Sequence, residues 1–221
     1  MRRCGVPMEG GDRPMIDFEL TVNGLTKEFN RRSIFRDLSF TLAFNESLAI
    51  TGRNGSGKST LVKTLCGLLA PTRGKVEYRS GGTMLEIDDA KHKVGLVSPY
   101  LQLYDEFTGL ENLLVLSNIR ANGTSDHDRA LHMLERFGLG SRQDDYVRTY
   151  SSGMKQRLKY CFALLHTPQA LFLDEPTSNL DAEGIEIVKA VVREQRNAGF
   201  LVVATNDEQE AGWCQRRIDL G

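Results

Sequence analysis

The chain has 221 residues, a formal net charge of -1, 40% hydrophobic and 26% charged residues. That is long enough to bury a sizeable core, and a charge so near zero gives no electrostatic case for a nucleic-acid partner. No apolar run nears the roughly 18 to 20 residues that cross a bilayer, so any membrane role has to be borrowed from another subunit.

Residues 1–14, MRRCGVPMEGGDRP, are rich in Gly and Pro and lack the apolar stretch of a signal peptide, which predicts a flexible tail with Met15 as an alternative start and a cytoplasmic protein. The four cysteines, Cys4, Cys66, Cys161 and Cys214, are scattered without a C-x-x-C pair, so neither a zinc site nor a disulfide framework is indicated. Alternation predicts half-exposed strands over Phe18–Val22 and Ser39–Phe44, followed by a more buried strand, ESLAIT, over 46–51. In STLVKTLCGLL, Leu61, Leu65 and Leu68 fall at helical spacing. Beyond Pro71, GKVEYRSGGTMLEIDD reads as a hairpin around Ser80-Gly81-Gly82, on the edge of the first unit. From about 105 to 165 the pattern turns helical: GLENLLVLSNIRA and DRALHMLERFGL are joined by the polar break NGTSDHD, as in an inserted helical subdomain. The apolar runs ALFLDE (170–175) and FLVVAT (200–205) then flank a helical pattern from Gly184 to Asn197, as in a buried parallel sheet with crossover helices. The fold class expected is α/β: a P-loop NTPase with a mainly parallel core sheet, an N-terminal antiparallel β part and the helical insert, all in one domain over 15–221.

Between the strand at 46–51 and the helix stands GRNGSGKST, residues 52–60. Gly52-x-x-x-x-Gly57-Lys58-Ser59 is the P-loop pattern, in which backbone N–H groups of Gly52, Arg53, Asn54, Gly55, Ser56, Gly57 and Thr60 curl around phosphates. Lys58 would reach the outer phosphates and the Ser59 hydroxyl would face Mg²⁺. LFLDE supplies two carboxylates at a strand end: Asp174 to hold Mg²⁺ and Glu175 to polarise the attacking water. Adjacent acids at a strand end also serve as plain helix caps.

On these residues the sequence resembles the ATP-binding-cassette ATPases over nearly all of 16–221. YSSGMKQR (150–157) looks like the family signature Leu-Ser-Gly-Gly-Gln, with Tyr150, Ser152 and Met154 departing from it. Ser151, with the N–H groups of Ser152 and Gly153, makes an anion site at a helix N-terminus, or simply a capping pair. The resemblance implies that this segment faces ATP held on a second such domain and that two ATP are sandwiched in a dimer, with a homodimer expected. It also implies that Asp181, in SNLD (178–181), positions the P-loop across that dimer. Phe29 sits where the family stacks an aromatic on adenine, with a core aromatic as the alternative. The family's metal-sensing glutamine aligns with Pro99, leaving Gln102 as the nearby glutamine for the metal.

In the family a histidine after the final strand contacts the γ-phosphate; here that position is Asn206. An amide donates one hydrogen bond but cannot be cationic, so a slower ATPase is expected, with an ATP-dependent clamp as the alternative. Asn206 is equally suited to cap a helix at DEQEAG. The function implied is the ATPase subunit of a transporter whose transmembrane subunits are separate, holding it at the inner face of the cell membrane. A soluble family member without a membrane partner is the second class. The short form, ending at IDLG, resembles stripped-down exporter ATPases such as the haem-exporter ATPase of cytochrome c maturation.

Overall fold

The structure, a computed structural model, describes residues 18–120 and 126–221. The expected tail over 1–14 and most of NGTSDHD lie outside the described residues. Two sheets form the framework. The first is antiparallel, in the order β2 (Arg32–Leu42), β1 (Phe18–Phe29), β4 (Arg73–Ser80), β5 (Thr83–Leu85). The second is wholly parallel, in the order β6 (Val94–Val97), β7 (Ala170–Asp174), β8 (Phe200–Ala204), β3 (Ser47–Thr51), β9 (Arg216–Asp219). The α/β P-loop architecture read from the sequence is therefore the one adopted.

The apolar runs at 170–174 and 200–204 are explained by burial on both faces of the parallel sheet. Phe172, Phe200 and Val202 point into a core shared with the antiparallel sheet and with Leu61 and Leu65 of α1 (Lys58–Leu65). The alternating residues Leu171, Leu173, Leu201 and Val203 point the other way. That second core takes in α3 (Gly109–Arg120), α4 (His127–Arg136), α5 (Ser152–Leu164) and Val188, Val191 and Val192 of α6 (Ala182–Arg196). A period of two thus divides each strand between two cores.

Several boundaries differ from the sequence reading. β1 continues beyond Val22 to Phe29 and turns directly into β2. Irregular register between Val22 and Glu28 breaks the alternation that would reveal it, and the turn at Asn30 and Arg31 is built on positive φ (49° and 65°) without a glycine. Phe44 lies past the end of β2 and is exposed. Leu68 also lies past the end of α1 and is 60% exposed, so only Leu61 and Leu65 of the predicted stripe are core residues. β4 is an interior strand of its sheet, and of the two hairpin strands it is β5 that lies at an edge. α2 (Ile87–Lys91), β6 and β9 are short elements that periodicity does not register; β9 is the charged run RRID.

Candidate active site

Ile50 of β3 pairs with Ala204 of β8, and Ala204 pairs with Asp174 of β7, so three neighbouring parallel strands end level with one another. The chain segments leaving those ends carry Gly52–Ser59, Asp174-Glu175 and Thr205-Asn206. This is the carboxyl edge of an open α/β sheet, where ligands bind.

The loop from Gly52 to Gly57 needs glycine for identifiable reasons. Gly57, the N-cap of α1, has φ 105°, and a Cβ there would lie 2.3 Å from Ile34 Cγ2. At Gly52, with φ 143°, a Cβ would lie 2.5 Å from Ser56 Oγ. Lys58 is 5% exposed and folds back over the loop, its Nζ donating to the carbonyls of Gly52 (2.8 Å) and Arg53 (3.1 Å). Together with Asn54, Ser59, Thr60, Glu175, Ile34 and Tyr100 it lines a polar cavity of about 270 Å³.

Asp174 is buried at the end of β7. Ser59 Oγ donates to one of its carboxylate oxygens at 3.1 Å and Ser98 Oγ to the other at 3.2 Å. Burial raises the carboxyl's pKa above the ordinary range; the two hydroxyls and the ammoniums of Lys63 and Lys58 oppose the rise. Glu175 follows with φ 52°, a backbone conformation that turns the chain sharply out of the strand beside the cavity. These residues fit a phosphate and a hard cation: Ser56 Oγ is buried in the loop without a hydrogen-bond partner, and Ser59 and Asp174 offer hydroxyl and carboxylate oxygens. Among the described residues no group of three or more His, Cys, Asp or Glu forms a metal cluster.

Asn206 Nδ2 donates to Asn54 Oδ1 at 3.2 Å. Both residues line a second cavity, of about 580 Å³, walled by Glu208 and Arg217, which pair through two contacts of 2.7 Å. The helix at DEQEAG, α7 (Glu208–Ala211), is capped by Asp207, whose carboxylate accepts from the N–H groups of Gln209 and Glu210. The capping alternative for Asn206 is thereby replaced: its neighbour Asp207 caps the helix, and the amide is turned to the P-loop.

The remaining sequence-selected residues sit apart from this edge. Ser151 is the exposed N-cap of α5, its hydroxyl accepting from Met154 N at 3.2 Å, with Ser152 as the first helical residue. Gly153 packs on the next segment, where an added Cβ would lie 2.9 Å from the Asn179 carbonyl oxygen. Asp181 caps α6 by accepting from Gly184 N at 2.9 Å, and Arg157 of α5 donates to it at 2.6 Å. The Gly184 N–H first, then Arg157, hold its pKa below the usual carboxylate value. Ser151, Ser152, Gly153 and Asp181 line neither cavity. Phe29, 46% exposed at the tip of the β1–β2 hairpin, also lines neither; Lys27 Nζ lies 4.8 Å from its ring centre.

Gln102 is exposed and makes no hydrogen bond to the site among the described residues. Ser98, four residues earlier at the end of β6, reaches Asp174 instead, and Lys159 of α5 donates to the carbonyls of Ser98 and Pro99, at 3.1 Å each. Ser98, Ile34 and Tyr100 are the site residues that sequence reasoning missed. The signal for Ser98 is a polar residue ending the short apolar run VGLV, in register with β7.

The sequence matches the protein-family model for the ABC transporter over residues 35–178, well over half of the chain. The chain belongs to the ABC transporter family. It is 31% identical over 194 residues to the linearmycin resistance ATP-binding protein LnrL of Bacillus subtilis (strain 168), covering 86% of this chain and 62% of that protein. It is 33% identical over 196 residues to the Nod factor export ATP-binding protein I of Rhizobium leguminosarum bv. viciae, covering 87% of this chain and 63% of that one. The chain thus spans about three fifths of the length of these curated relatives. A solved dimeric ATP-binding cassette in a post-hydrolysis state with ADP and Pi superposes with a TM-score of 0.80 at 23% identity, over 90% of this chain and 93% of that one. As an ABC ATPase domain, the chain is of a kind that binds ATP, and members of its family hydrolyse it. Among the described residues no helix is long and apolar enough to cross a membrane.

Proposed function

We propose that this chain is the Mg²⁺-dependent ATPase subunit of a transporter, closing around two ATP as a dimer and acting on separate transmembrane subunits at the inner face of the membrane. The observation that carries the reading is the level ending of β3, β7 and β8, which gathers the P-loop, Asp174, Glu175 and Asn206 at one edge. The N–H groups of the loop and Lys58 would bind the phosphates, and exposed Phe29 would stack on the adenine. Ser59 and Asp174 would hold Mg²⁺, which when bound supplies neutralisation of phosphate charge. Glu175 would accept a hydrogen bond from water and draw its proton as oxygen attacks the γ-phosphorus, giving ADP and inorganic phosphate. Asn206 would donate to the outer phosphate. The 15–221 unit would act as one ABC domain with its helical subdomain at about 105–165.

Support for the dimer comes from Ser151, Ser152, Gly153 and Asp181, which line neither cavity of this chain. A second copy would bring its phosphates to the helix N-terminus at Ser152. Size-exclusion chromatography of Glu175→Gln with and without Mg-ATP tests this. An ATP-dependent doubling in mass is expected, and a monomer at saturating ATP would remove the dimer from the reading. A slow clamp is favoured by one observation, that the Asn206 amide engages Asn54 in the neighbouring cavity. Equal turnover in the native protein and Glu175→Gln would select the clamp.

A further inference from the structure

Glu210 lies on α7, outside the P-loop and outside both strand-end carboxylates, yet it is a carboxylate only 6% exposed. One of its oxygens accepts from the backbone N–H of Thr177 at 3.2 Å and from the Thr177 hydroxyl, and the other accepts from the Thr205 hydroxyl. Thr177 is two residues beyond Glu175, and Thr205 immediately precedes Asn206. The same carboxylate therefore ties together the two chain segments that leave β7 and β8.

Neighbouring bonds make this a junction and not an isolated contact. Glu175 N donates to the Ala204 carbonyl at 2.9 Å, and Thr205 N donates to the Ile50 carbonyl at 3.0 Å, so the carboxylate sits just past the point where regular strand pairing ends. The Thr205 hydroxyl oxygen in turn accepts from Asp207 N at 2.9 Å. On the other side, Tyr160 of α5 is fully buried and donates to the Pro176 carbonyl at 2.9 Å. The segment 175–177 is thus held from α7 by Glu210 and from α5 by Tyr160. An apolar residue at 210 would fill the space but deprive both threonine hydroxyls and the Thr177 N–H of their acceptor in a largely buried place.

We propose that Glu210 is a positioning residue for hydrolysis: its carboxylate clasps the two loops that carry Glu175 and Asn206 and fixes their separation, without itself touching ATP. The inference rests on the hydrolytic reading above. A loss of alignment at the reacting atoms lowers the rate of the chemical step more than it lowers ground-state binding, because the phosphates are bound mainly by the P-loop.

The test compares native protein with Glu210→Gln and Glu210→Ala. Gln keeps a carbonyl oxygen for Thr177 and loses the acceptor for Thr205; Ala loses both. Turnover is expected to fall in the order native, Gln, Ala, with Ala down by about tenfold to a hundredfold and KM for ATP within about threefold of native. Hydrogen exchange in nucleotide-free protein supplies a readout independent of turnover: amides of 175–178 and 205–207 should both lose protection in Glu210→Ala. Unchanged turnover, an equal loss in kcat and ATP affinity, or loosening confined to α7 would each overturn the proposal. If native protein does not turn over ATP at all, the hydrolytic reading fails, and exchange at the two loops decides whether the clasp exists.

Discussion

Gly57→Ala, combined with Ile34→Ala, separates two physical reasons for glycine in the phosphate loop. The first is backbone conformation: φ at Gly57 is 105°, and forcing a residue with a Cβ into such a region costs about 1–3 kcal/mol. The second is space, since the new Cβ would be 2.3 Å from Ile34 Cγ2, and overpacking of this kind costs about 1–3 kcal/mol. Gly57→Ala should therefore lose roughly 2–6 kcal/mol, or roughly 4–24 °C of melting temperature in a domain of this size. Truncating Ile34 relieves only the steric part. Urea unfolding of the native protein, both single variants and the double variant gives the cycle, with a favourable coupling of about 1–3 kcal/mol expected. Additivity within about 0.5 kcal/mol would refute the placement of Ile34 against the loop. Full recovery in the double variant would refute the backbone part.

Ser98→Ala removes one of two hydroxyls that donate to Asp174, and a hydrogen bond to a charged group contributes about 1.5–3 kcal/mol. The Mg²⁺ concentration for half-maximal ATPase should rise about tenfold; an unchanged Mg²⁺ titration would contradict the role given to Ser98. Asp174→Asn should raise the melting temperature of nucleotide-free protein at neutral pH while abolishing turnover. Burial raises the Asp174 pKa, so its ionised form opposes folding at high pH, and the gain from Asn should vanish as pH falls to about 4, into the ordinary aspartate range. Thermal melts across that interval check the sign. Asn206→Ala should slow steady-state ATPase by up to about a hundredfold, and Asn206→His should exceed the native rate; equal rates in all three would remove Asn206 from the chemistry.

The amino-acid sequence by itself determined the sheet strands that are apolar on both faces, the glycine-rich loop between strand and helix, and the carboxylates of LFLDE. Each is a local pattern whose cause lies in neighbouring residues: a period of two, a left-handed φ, a polar pair after an apolar run. Tertiary structure alone decided what meets across the chain. The β1–β2 hairpin was hidden by irregular register, β6 and β9 by shortness and charge, and Leu68 and Phe44 fell outside the elements their hydrophobicity suggested. At the site, Asp174 takes its second hydroxyl from Ser98, 76 residues away in sequence, through the register of β6 on β7. Asp207 caps α7 and leaves Asn206 to turn to Asn54, 152 residues away. Glu210 reads in the sequence as one acid among several on a polar helix. Only the folding of α7 over the ends of β7 and β8 buries it between two threonines, because burial and partner depend on strand order, which no local pattern encodes.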